Sequence, residues 1–80
     1  MTTPRTDQDV SNEFGERLRD LRSTAGLSQE RLAQDAGVSW STVSQIERGQ
    51  RAVRLVTLLR LAVALGTDPA ELVRGLLPPD

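Results

Sequence analysis

The feature that most restricts this chain is a pair of short helical segments pressed together across a single glycine. In residues 27–37, Leu27 precedes Ser28, and Leu32 stands at the fourth position of the helix that Ser28 would cap. That is a capping serine flanked by a hydrophobic staple. Gly37 then stops the segment, and the same device starts again with Val38, Ser39 and Val43. The expected helices cover 29–36 and 40–48, with Gly49 closing the second. Only three or four residues join them, so the second helix must leave the first at a steep angle. Gly37 is suited to the positive φ that such a turn needs. Ala33 is small enough to let the two helices approach. Leu32, Ala36, Val38, Val43 and Ile46 supply the apolar side that seats the pair on the rest of the chain.

The surroundings are helical too. Phe14, Leu18, Leu21 and Ala25 recur on one helical face, and Gly26 ends that segment. Leu55, Leu58, Leu59, Ala62 and Leu65 form a wide stripe ended by Gly66. Asp68-Pro69-Ala70-Glu71 is a compact helix start, and the helix it opens carries Leu72, Val73, Leu76 and Leu77 until Pro78-Pro79 stops it. No segment alternates as a strand would. The expected fold is all-α and five-helical. Residues 1–12 read as a disordered arm, 13–77 as the folded domain and 78–80 as a tail.

Eighty residues hold one small domain. With no cysteine there is neither a disulfide framework nor a thiolate metal site, and with no histidine the usual triads and zinc sites are excluded. The carboxylates are scattered over polar faces, and no Gly-rich phosphate loop is present. An enzyme has little support, and no cofactor, metal or small effector is implied. The longest apolar run, Leu61-Ala62-Val63-Ala64-Leu65, is too short to span a bilayer. The polar, acid-containing first residues do not read as a signal peptide, so a cytoplasmic protein is expected.

Net charge is −1, but it is unevenly spread. Residues 36–67 carry Arg48, Arg51, Arg54 and Arg60 against Glu47 alone, while both flanks are acidic. The positive charge therefore sits beside the second short helix, where a phosphate backbone would meet it.

The ordered combination GLSQ, LA, GVS, TVSQIERG and LLRLAVALG over residues 14–73 resembles the bacterial lambda-repressor/Cro-like family, also called the xenobiotic-response-element family. The resemblance implies a compact helix-turn-helix domain that binds double-stranded DNA and regulates transcription, with residues 40–48 as the recognition helix. It implies base-edge contacts for Trp40, Ser41, Ser44 and Gln45, the Gln45 amide being suited to adenine. It implies phosphate contacts for Gln29, Thr42, Arg48, Arg51 and Arg54, and a structural salt bridge between Arg22 and Glu47. Three positions depart from the family pattern. Trp40 replaces a polar residue; it can press on a thymine methyl or a sugar, or cover a partner surface. Ala52-Val53-Arg54 replaces a usual Asn-Pro-Ser, removing the cap of the fourth helix. Arg31 replaces a Glu, removing half of a capping box.

One short helix reads few base pairs, so a homodimer on a palindrome is expected. Leu72, Val73, Leu76 and Leu77 exceed what the fifth helix needs for its own core, and they mark the expected dimer contact together with the adjoining surface of the fourth helix. The rival reading keeps the fold but gives the Trp40 face to a protein partner, as in an antitoxin-like module.

Overall fold

A computed structural model describes residues 4–80. Within them the chain forms α1 (Asp7–Thr24), α2 (Gln29–Ala36), α3 (Trp40–Glu47), α4 (Leu55–Leu65) and α5 (Pro69–Val73), with no strand. The all-α, five-helix expectation holds. Three starts follow local capping chemistry as the sequence predicts it. Ser28 and Ser39 accept from the main-chain N–H of Arg31 and Thr42, Asp68 from that of Ala70, and Pro69 takes the first turn of α5. Arg54 stands at the N-cap of α4 without a side-chain cap bond, as its replacement of a capping residue foretells. Gly37 turns the chain from α2 toward α3 at φ 70°, where a β-carbon would be strained.

α2 packs on α3 and α4, α1 on α3 and α5, and α4 on α5. Leu18, Leu32, Val43, Ile46, Leu61 and Leu72 are fully enclosed where these helices meet. Each such side chain is worth about 1.5–3 kcal/mol relative to exposure. The staple residues Leu27 and Val38 pack against this core from its edge.

Three expectations are corrected. First, the stretch 1–12 is not an arm throughout: α1 begins at Asp7, and residues 1–3 lie outside the described residues. Thr6 and Asp9 form a reciprocal capping box, the Thr6 hydroxyl accepting from the Asp9 N–H and the Asp9 carboxylate from the Thr6 N–H. Arg5 anchors the start by donating to both Glu13 oxygens and to the Leu77 carbonyl.

Second, α5 ends at Val73 rather than reaching Leu77. Gly75 reverses the chain at φ 77°, and the Arg17 guanidinium takes the Glu71 and Arg74 carbonyls at 2.8 Å each. Leu72 is therefore a core residue and not a contact for another chain, and Leu76 is folded half-buried against the core.

Third, the stripe on α4 divides. Leu58, Leu61 and Ala62 face inward, while Leu55, Val56, Leu59 and Val63 are exposed. α2 and α5 already cover the inner side, so the outer apolar arc has no partner among the described residues.

Candidate nucleic-acid interface

α3 is seated by α1 rather than by its own length. Eight residues make an unstable helix in isolation; besides α2, one stripe of α1 braces it. Gln8 donates from its amide to the Gly49 carbonyl just past α3. Asn12 packs over Gly49, leaving no room there for a β-carbon. Gly15 meets the carbonyls of Ile46 and Glu47 at the last turn of α3, so closely that a β-carbon would collide with main-chain atoms. Arg22 completes the stripe with a fork onto Glu47, Nε to Oε2 at 2.6 Å and Nη2 to Oε1 at 3.1 Å. The expected Arg22–Glu47 pair is present and mostly buried, with the Glu47 side chain 3 % exposed. Its bonds to Glu47 raise the Arg22 pKa above the ordinary value despite the cost of burial. An acid at the negative end of a helix is unfavourable by itself; the guanidinium makes this one tolerable.

Glu47 also accepts from the Gln29 amide nitrogen at 2.9 Å, and the Gln29 carbonyl accepts from the Trp40 indole N–H at 3.2 Å. The expected phosphate residue Gln29 is thus engaged at both ends of its side chain. One amide N–H remains free of a partner in this arrangement.

The outward face of α3 carries Trp40, Ser41, Thr42 and Gln45. Trp40 is 52 % exposed, Ser41 is exposed, and Thr42 and Gln45 are half-exposed. Ser44 is not on this face: it is 7 % exposed, turned inward beside Val43. Taking Ser44 for a surface residue is corrected by the helical geometry. One step of about 100° from the fully buried Val43 leaves it at the covered edge of α3.

The three arginines follow within seven residues of the end of α3. Arg48 caps α3 and is exposed, as is Arg54. Arg51 reaches back across α3, with long contacts to the Thr42 hydroxyl at 3.3 Å and the Gln45 carbonyl at 3.4 Å. These are weak bonds at the limit of useful geometry, so the guanidinium stays available to a stronger acceptor. Beyond this basic loop lies an apolar groove of about 460 Å³, bordered by Val10, Phe14, Val53, Val73 and Leu77. Nothing in the sequence pattern announces it. Its walls come from the start of α1, the loop after α3 and the segment after α5, which are far apart along the chain.

The stripe of Gln8, Asn12 and Gly15 was missed in the sequence. Their spacing puts them on one face of α1, but a polar-and-small stripe reads as a solvated face until the helix across from it is known.

A short helix held outward, and braced by another short helix across a glycine turn, defines a helix-turn-helix protein. Residues 13–74 match the family described as "Helix-turn-helix domain", and the chain belongs to that family. Among its relatives is the control protein C.BamHI of Bacillus amyloliquefaciens, 38% identical over 61 residues that make up 75% of each chain. Among solved structures, the restriction-modification controller protein C.AhdI from Aeromonas hydrophila is 53% identical with a TM-score of 0.76, over 78% of this chain and 94% of that one. The DNA-binding domain of the P22 C2 repressor is 35% identical with a TM-score of 0.74, over 80% of this chain and 86% of that one. None of the described helices is long and apolar enough to cross a membrane.

Proposed function

We infer that this chain is a sequence-specific DNA-binding regulator of transcription that acts by occupying an operator. The observation that carries the inference is the rigid seating of α3. Its outward side chains stand on a helix locked to α1 by Gly15, Gly49 and the Arg22–Glu47 fork, with Arg51 reaching back across it and Arg48 and Arg54 exposed at its end and in the loop that follows. α3 enters the major groove and α2 lies along the backbone. Gln45 reads an adenine edge through its amide, once Arg51 has let go of it for a phosphate, and Ser41 contributes a hydroxyl. Arg48, Arg51, Arg54 and Thr42 hold the backbone, and the free Gln29 amide N–H adds a further donor. These contacts provide affinity and register rather than sequence choice. The protein has no enzymatic role in this scheme and works in the cytoplasm.

Two copies bind a palindrome with half-sites about 34 Å apart. The pairing surface combines the exposed α4 arc of Leu55, Val56, Leu59 and Val63 with Val73 and Leu77. An unpartnered apolar surface of this kind favours self-association. The control-protein and repressor relatives support the regulatory reading.

Selection of bound duplexes from a random pool, followed by salt-titrated affinity, tests the proposal. A recovered palindrome and a steep fall of affinity with salt are expected. Arg51→Ala should weaken all duplexes and flatten that slope, whereas Gln45→Ala should lower discrimination among bases. No enrichment and no salt-dependent affinity would overturn the proposal and favour a protein partner for the Trp40 face.

A further inference from the structure

Trp40 stands at the first position of α3, half in solvent, yet its indole is not free to turn. The constraint starts at Arg22. Its guanidinium forks onto both oxygens of the Glu47 carboxylate, a group that can only accept hydrogen bonds. The Gln29 side chain, facing Glu47 at 2.9 Å, must therefore present its NH2 to it. This settles which end of the amide is which: the carbonyl is turned away from Glu47, and it accepts the indole N–H at 3.2 Å. Four side chains from α1, α2 and α3 thus form one directed chain ending on Trp40.

The chemical consequence concerns what Trp40 can recognise. The indole N–H is the side chain's only donor, and Gln29 consumes it. The surface left to a duplex is purely apolar. Of the groups displayed in the major groove, the thymine C5-methyl is the one that pairs with such a surface; the other edges offer donors and acceptors that an apolar ring would leave unsatisfied.

We propose that Trp40 is a specificity-determining residue that reads a thymine methyl, and that Gln29 is the positioning residue that holds its indole for this contact. The proposal rests on the reading of α3 as a recognition helix.

The test uses the full chain and the duplex recovered by selection. Each thymine is replaced in turn by deoxyuridine, which removes the methyl and nothing else. One thymine in each half-site should show a loss of affinity of about fourfold, the value of burying one methyl-sized group. That loss should vanish in Trp40→Ala, which discriminates poorly but still binds. In Gln29→Ala the thymine/uracil ratio should fall toward one. Trp40 is the chain's single tryptophan, so its fluorescence reports on it alone, and its anisotropy decay should show faster local motion in Gln29→Ala without DNA. If Gln29 instead acts only on a phosphate, the variant weakens thymine and uracil duplexes equally and leaves the decay unchanged, which overturns the positioning role. A uracil scan with no sensitive site, or one that Trp40→Ala leaves intact, overturns the thymine contact while recognition by α3 stands. Failure to select any duplex overturns both readings.

Discussion

Replacing Gly15 by Ala sets two effects of opposite sign against each other. In the middle of an exposed helix, Ala is better than Gly by about 1 kcal/mol, because the glycine backbone loses more freedom on folding. On that ground alone α1 should gain. The new β-carbon, however, would stand 2.7 Å from the Glu47 carbonyl oxygen, 3.0 Å from its carbon, and closer still to the Ile46 oxygen. These are main-chain atoms at the end of α3, so they cannot swing away as a side chain tip can. The helices must separate by several tenths of an ångström, which loosens the Arg22–Glu47 fork and the Gln8 bond to Gly49. Overpacking of this kind costs about 1–3 kcal/mol, and against main-chain atoms about 2–3 kcal/mol, so the unfavourable effect wins by about 1–2 kcal/mol after the propensity gain is subtracted. For a domain of this size that lowers Tm by roughly 5–15 °C. The assay is thermal unfolding followed by circular dichroism, at one fixed protein concentration because self-association would move the midpoint. Glu16→Ala, next in the chain and exposed, is the control and should change little. A Tm for Gly15→Ala equal to or above that of the parent would refute the account of how α3 is held.

Three further outcomes follow from named contacts. Glu47→Ala leaves the largely buried Arg22 guanidinium without its carboxylate and should cost about 3–5 kcal/mol in denaturant unfolding; a loss under 1 kcal/mol would mean that solvent replaces the partner. The Glu13 carboxyl is held below its ordinary value of 4.5 by its hydrogen bonds to Arg5. Its contribution to stability is therefore complete above that ordinary value and is lost as pH falls through the lower folded value. Glu13→Gln should flatten this part of the acid limb of a Tm–pH profile, and superimposable limbs would count against the clamp. Val63→Glu and Leu77→Glu, both at strongly exposed apolar positions, should convert a dimer to monomer in sedimentation without lowering helicity. Unchanged dimer mass in both would move the pairing surface elsewhere.

What the sequence by itself determined is whatever depends on neighbours within four residues. Ser28 and Ser39 start α2 and α3, Gly37 and Gly66 stop α2 and α4, and the leucine periodicity marks α4, because caps, staples and helical faces are local. The start of α1 is equally local but harder to read, since its capping box uses Asp9 where Glu or Gln is usual. Only the tertiary structure decided the rest. Whether Leu72 or Leu55 faces inward depends on which side of each helix another helix occupies. Ser44 is covered, and Gln29 is tied to Trp40, because α1 and α2 cross α3 where they do. Gly15 matters for the same reason: its value lies in the carbonyls of Ile46 and Glu47, far along the chain, and periodicity within one helix carries no information about what lies across from it.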